Sequence, residues 1–195
     1  ASPVMHNAAF EATGYNGVYV AFSVKRLLHL KQSLRQLGVK GVSVTIPYKT
    51  KIRRIIDRID SLALQIGSVN TLLWTKGGLL EGYNTDGPGA VQALEAAGIS
   101  LQGAKVLLIG SGGSARGIGM ALARSKVEKL GILARNRRAS LQLGRNLRLD
   151  KTIKNIELLF FPGETEKAPG RKSMSKRSGK VPRIPKHFAP SYLED

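Results

Sequence analysis

Lys105-Val106-Leu107-Leu108-Ile109-Gly110-Ser111-Gly112-Gly113-Ser114-Ala115 is the most informative stretch of this chain. Val106 to Ile109 is an unbroken apolar run, the pattern of a strand buried on both faces in a parallel sheet. Gly110, Gly112 and Gly113 allow a turn that residues with a Cβ resist. The residues that follow read as a helix to about Ser125, and Leu130 to Ala134 reads as the next strand. Strand, glycine turn, helix and strand together predict a βαβ unit. In such a unit the N–H groups of Gly110, Ser111, Gly112, Gly113 and Ser114, with the helix N-terminus, can cradle a pyrophosphate. The competing reading is an ordinary βα turn.

The second strand sharpens the reading. Folds that bind NAD usually place an Asp or Glu near this strand end, for the ribose hydroxyls. Here Ala134 is followed by Arg135, Asn136, Arg137 and Arg138. Arginine pairs bidentately with phosphate and stacks on aromatic rings. Asn136, Arg137 and Arg138 therefore predict a 2′-phosphate, and so NADP. A basic surface turn is the alternative.

Working back toward the N-terminus, residues 1–13 predict a short helix, with Ser2 as N-cap and Pro3 in its first turn. Val18 to Phe22 reads as a strand. The spacing of Val24, Leu27, Leu28, Leu34 and Leu37 predicts a helix ending at Gly38, and Gly41 to Ile46 a strand stopped by Pro47. This order predicts a mostly parallel sheet. Residues 50–58 and 61–66 read as short helices. Val69 to Trp74 and Leu79 to Tyr83 flank Lys76-Gly77-Gly78, a hairpin signature. Residues 87–97 read as a helix ended by Gly98. Thr45 and Lys49, then Asn70, then Asp86 stand at element ends, where open α/β sheets bind ligands. Asp86 as a simple helix cap and Lys49 as a solvated lysine are the alternatives.

Composition narrows the classes. The chain has 195 residues, 42% of them hydrophobic, enough for a substantial core. It has no cysteine, which removes disulfides, thiol catalysis and thiolate metal sites. His6, His29 and His187 lack metal-ligand spacing, so no metal is expected. No apolar run is long enough for a spanning helix, and no signal peptide is visible, so a cytoplasmic protein is expected. The net charge of +18 permits nucleic-acid binding, but the charge is spread along the chain and no nucleic-acid motif accompanies it. Toward the C-terminus, Gly170 to Lys180 is Arg, Lys, Ser and Gly with only Met174 apolar, the composition of a disordered basic tail. Leu158 to Phe161 can add one strand before Pro162-Gly163.

Several blocks in fixed order resemble the shikimate dehydrogenase family. They are Ser2-Pro3 with His6-Asn7, then Gly41 to Lys49, then Ala63 to Thr71, then Gly82-Tyr83-Asn84-Thr85-Asp86-Gly87, then the glycine loop with Asn136-Arg137-Arg138. The resemblance covers residues 1 to about 140. It implies a substrate-binding and catalytic α/β domain over 1–86 followed by a partial NADP-binding Rossmann-like domain, expected over 101–160; the residue pattern makes 87–100 a linking helix and composition makes 161–195 a flexible basic tail. It implies Lys49 and Asp86 as the catalytic pair, and Ser2, Thr45 and Asn70 as substrate contacts. The implied reaction is the reversible, NADP-dependent reduction of 3-dehydroshikimate to shikimate on the way to aromatic amino acids, by a monomer or homodimer. The chemistry suits these residues, because Lys49 can give a proton to the reduced oxygen while Asp86 orients it. The family's further nucleotide-domain strands and its C-terminal glutamine-bearing helix have no counterpart here, so the chain resembles a truncated or altered member. A non-catalytic remnant of the family, a quinate/shikimate dehydrogenase using NAD, and last a basic nucleic-acid-binding protein remain the alternatives.

Overall fold

A computed structural model describes residues 2–149 and 155–160. The basic tail expected over 161–195 lies outside the described residues. The chain divides into two units, one ending at Gly38 and one beginning at Val39.

The first unit holds two helices, α1 (Ser2–Ala12) and α2 (Leu30–Gln36). The strand expected over Val18 to Phe22 does not form. Residues 15–24 carry no regular structure, and Val18, Val20 and Phe22 are exposed. Tyr19 is tied instead to α1. Its N–H donates to Asn7 Oδ1 at 2.7 Å, its carbonyl accepts from Asn7 Nδ2 at 3.0 Å, and its ring stacks on His6. One asparagine side chain thus satisfies the two backbone groups that a neighbouring strand would pair. The helix expected from Val24 is also shorter. His29 adopts a left-handed conformation (φ 61°), so α2 begins only at Leu30, with the His29 carbonyl accepting its first bond from Ser33 N–H.

The second unit contains both sheets. The first has the order β1 (Gly41–Ser43), β3 (Thr71–Trp74), β4 (Leu80–Tyr83), β2 (Arg58–Ile59). It is mixed rather than mostly parallel. β1 and β4 both run antiparallel to β3, and only β2 runs parallel to β4. The expected parallel order depended on the strand over 18–22, and without it β1 takes the hairpin strand β3 as partner. The helix expected over 50–58 is one 3-10 turn, Ile52–Arg54, followed by β2. Asp57 explains the change. Its N–H donates to the Leu80 carbonyl and its Oδ2 accepts from the Leu80 N–H, which draws the chain onto the edge of β4. Asp60 then caps α3 (Ser61–Ile66) by accepting from the N–H groups of Leu62 and Ala63.

Helix α4 (Asp86–Ala96) leads to the second sheet, β5 (Lys105–Ile109), β6 (Lys129–Ala134) and β7 (Ile156–Phe160), all parallel and in sequential order. α5 (Gly113–Arg124) crosses between β5 and β6. β7 matches the strand expected near Leu158. α6 (Arg137–Arg148) was not anticipated, because its polar surface dilutes the apolar period. Its inner face, Ser140, Leu143, Gly144 and Leu147, is buried. Leu143 and Leu147 join Ile66, Met120, Leu130 and Ile132 in one core that also ties α3 to the second sheet. This is the α/β class expected, with the first half of a Rossmann-like sheet.

α5 lies unusually close to the first sheet. A Cβ on Gly113 would stand 2.9 Å from Lys49 Cβ, and one on Gly117 would collide with the side chain of buried Asn84. Glycine at these positions lets the start of α5 reach the residues considered next.

Candidate active site

The first sheet extends past its strands by two backbone bonds. Val44 N–H donates to the Asn70 carbonyl at 2.6 Å, and Asn70 N–H donates to the Tyr83 carbonyl at 3.0 Å. Asn70 is thereby fixed between the chain leaving β1 and the chain leaving β4. The Lys49 carbonyl accepts from Val69 N–H at 2.8 Å, which pins the lysine to the same rim. Asp86 opens α4, where exposed N–H groups favour a carboxylate.

Thirty-seven positions apart in sequence, Lys49 and Asp86 meet: Lys49 Nζ donates to Asp86 Oδ2 at 2.6 Å. Their side chains are only 14% and 18% exposed, so this pair is shielded from the water that weakens surface ion pairs. Lys49 Nζ also donates to Ser114 Oγ at 2.9 Å, on the first turn of α5. Two of the three ammonium N–H groups are thus held, and the third has no partner among the described residues.

Asn70 completes the arrangement. Its Nδ2 donates to Asp86 Oδ1 at 2.8 Å and to Thr85 Oγ1 at 2.9 Å. Its Oδ1 accepts from Thr85 N–H at 2.9 Å and from Thr71 Oγ1 at 3.0 Å. Both carboxylate oxygens of Asp86 are therefore engaged, one by Lys49 and one by Asn70. Thr71 and Thr85 belong to this network; the sequence places them in the same polar stretches as Asn70 and Asp86 but assigned them no role. Their signal was adjacency, since each stands beside a residue that had one. Thr45 is exposed, one residue beyond the Val44–Asn70 bond, and its carbonyl accepts from Tyr48 N–H. Ser2 opens α1 in the first unit and is exposed.

The glycine loop joins β5 to α5. Gly110 has φ +116°, a backbone few residues adopt, and no atom lies within 4 Å of a Cβ built on Gly110 or Gly112. Gly112 precedes α5 without a side-chain cap, so the first N–H groups of the helix have no capping side chain. This is an open cradle for an anion with room for its backbone approach. At the end of β6, Asn136 Oδ1 caps α6 by accepting from Ala139 N–H at 2.9 Å. Arg137, Arg138, Leu141, Gln142 and Arg145 line a groove of about 330 Å³. Three arginines and no acid line it, which suits a phosphate monoester. Arg145 is the member that the sequence reading missed, because it lies two helical turns beyond the strand end. The residues present fit a dinucleotide bearing a 2′-phosphate. No group of His, Asp or Glu able to hold a metal ion occurs among the described residues. No helix among them is long and apolar enough to cross a membrane.

Comparison with known proteins agrees with this geometry. The model of the shikimate dehydrogenase substrate binding domain matches residues 1–72. A curated NADP(+) shikimate dehydrogenase of Symbiobacterium thermophilum is 39% identical over 168 residues, 85% of this chain and 56% of that protein. A crystal structure of shikimate 5-dehydrogenase from Listeria monocytogenes, in complex with shikimate and NAD, superposes with a TM-score of 0.73 at 32% identity. It is matched over 82% of this chain and 56% of its own. The Thermus thermophilus enzyme, in complex with NADP(H) and shikimate, gives a TM-score of 0.68 at 32% identity, over 81% of this chain and 57% of its own. The chain spans about half the length of the relatives it matches. Over the residues it shares with them, the chain is similar to the shikimate dehydrogenases, and its first 72 residues match the substrate binding domain of that family.

Proposed function

We propose that this chain carries the catalytic and cofactor-binding residues of an NADP-dependent shikimate dehydrogenase, which interconverts 3-dehydroshikimate and shikimate. Residues 1–86 would serve as the substrate-binding and catalytic domain and residues 101–160 as the NADP-binding part. The observation that carries the reading is the Lys49–Asp86–Asn70 network closed by Ser114 of the glycine loop.

Reduction of a ketone needs a hydride on carbon and a proton on oxygen, and bound NADPH supplies the hydride. Lys49 Nζ supplies the proton. Its ammonium is aimed by Asp86 and Ser114, and its remaining N–H points the charge at the oxygen that becomes the hydroxyl. As that oxygen gathers negative charge, the fixed ammonium stabilises it without reorienting. In the reverse direction Lys49 takes the proton back. Asp86 holds the lysine in place. Asn70 holds Asp86, and a substrate hydroxyl bonding Asn70 or Thr85 replaces one bond of their network. Ser2 and Thr45 are proposed as further contacts for the anionic substrate. The N–H groups of Gly110 to Ser114 would hold the pyrophosphate, and Arg137, with Arg138 and Arg145, the 2′-phosphate.

Calorimetric titration tests the reading. NADP should bind more tightly than NAD, and shikimate more tightly than quinate. Equal affinity for NADP and NAD would remove the cofactor assignment, and absence of saturable shikimate binding would remove the substrate assignment.

A further inference from the structure

A second basic cluster lies apart from the residues assigned above. Gly67 ends α3 with φ +73°, and a Cβ built on it would lie 3.4 Å from Arg116 Nη1, 3.5 Å from Arg53 Nη1 and 3.7 Å from Asn146 Nδ2. Three nitrogen donors, from the 3-10 turn, α5 and α6, therefore converge beside Gly67, at ordinary contact distance from the place a Cβ would take. Asn146 Oδ1 accepts from Gln142 Nε2 at 2.8 Å, which turns the amide so that its Nδ2 faces that spot.

The two arginines are in an unfavourable state as they stand. The Nε atoms of Arg53 and Arg116 are buried and meet no acceptor. Among the described residues neither guanidinium has a carboxylate partner. Burial, then the positive charge of Arg53, pulls Arg116 below the ordinary arginine value. Buried donors without acceptors and like charges side by side are both costly. The C-terminal end of α3 offsets little of this, since it is a helix of six residues and the Ala63 and Leu64 carbonyls already accept from Gly67 N–H. A water molecule accepts hydrogen bonds but carries no charge.

We propose that Arg53, Arg116 and Asn146 form a binding site for a small doubly charged oxyanion of the phosphate class, seated over Gly67. Two planar guanidinium forks match the oxygens of such an ion, its charge balances theirs, and the amide of Asn146 supplies a further donor. The site uses none of the residues assigned to substrate or cofactor, so it stands or falls independently of the proposed activity.

Thermal unfolding of the whole chain, titrated with inorganic phosphate against sodium chloride of matched ionic strength, tests this. The wild type should gain stability in phosphate beyond the salt control. Arg53→Met should weaken the phosphate response by about ten- to a hundredfold in affinity, the loss of one charge-assisted pair. This variant removes one of two repelling charges, so it should fold. Asn146→Leu provides a second variant and should weaken the response less. Arg53→Met touches neither the glycine loop nor the groove of Arg137, so phosphate bound there cannot account for its effect. No stabilisation beyond the salt control, an unchanged response in both variants, or tighter binding of acetate than of phosphate would each overturn the proposal.

Discussion

Replacing Lys49 by Met and Asp86 by Leu, singly and together, measures the strength of the pair at the centre of the site. The two charges are in direct contact at 2.6 Å and both side chains are largely covered. At the effective dielectric typical of partly buried pairs, unit charges about 4 Å apart attract by about 4 kcal/mol. Desolvation of both ions offsets a good part of this. A coupling of about 2 kcal/mol remains, above the ~0.2–1 kcal/mol of exposed pairs. Each single variant leaves one charge covered without its partner, whereas the double variant leaves neither. The double variant should therefore lose about 2 kcal/mol less than the sum of the singles. In a chain of this size that corresponds to roughly 4–8 °C in unfolding midpoint. Urea denaturation of the four proteins gives the coupling directly. Additivity within about 0.5 kcal/mol would show that the pair is held no more firmly than a surface contact, and would refute the argument from its burial.

Gly117→Ala should destabilise by about 1–3 kcal/mol, because the new methyl group meets the buried side chain of Asn84; calorimetric unfolding checks this. Arg137→Ala should cost about 1.5–3 kcal/mol of NADP binding and leave NAD binding nearly unchanged, as titration of both cofactors would show. Tyr83 is raised above its ordinary value of 10.0, first by its hydrogen bond with Glu81. A folded value above the unfolded one means that its contribution is fully present below the unfolded value and is lost as pH rises through the folded one. Glu81→Gln should therefore move the alkaline tyrosine absorbance transition of Tyr83 downward, and a transition that stays in place would contradict the assignment.

The second sheet was legible in the sequence because its signals are local. The apolar run Val106 to Ile109, the glycine turn and the next apolar run each report their own conformation, and the structure places β5, α5 and β6 there. The hairpin of β3 and β4 was legible for the same reason. The errors fall where a side chain from elsewhere decides. Val18 to Phe22 has strand composition, yet Asn7 takes the bonds of Tyr19. Residues 50–58 look helical, yet Asp57 binds them to β4. In the site, Lys49, Asp86 and Asn70 stood out at element ends and took their roles from the family resemblance, Ser114 stood out only as part of the glycine loop, and the structure joins the four by hydrogen bonds. The two threonines that complete the network, Thr71 and Thr85, and the distant Arg145 had no signal of their own, since their roles depend on neighbours that only the fold supplies.

Single-turnover reduction of 3-dehydroshikimate by NADPH, in the wild type and in Lys49→Ala, tests the central claim most directly. The wild type should oxidise NADPH only when the ketone is present. Lys49→Ala should slow that step by roughly 10²–10⁴-fold while leaving NADP affinity nearly unchanged, because the proton donor is lost and the cofactor cradle is not. A Lys49→Ala rate equal to that of the wild type would contradict the account.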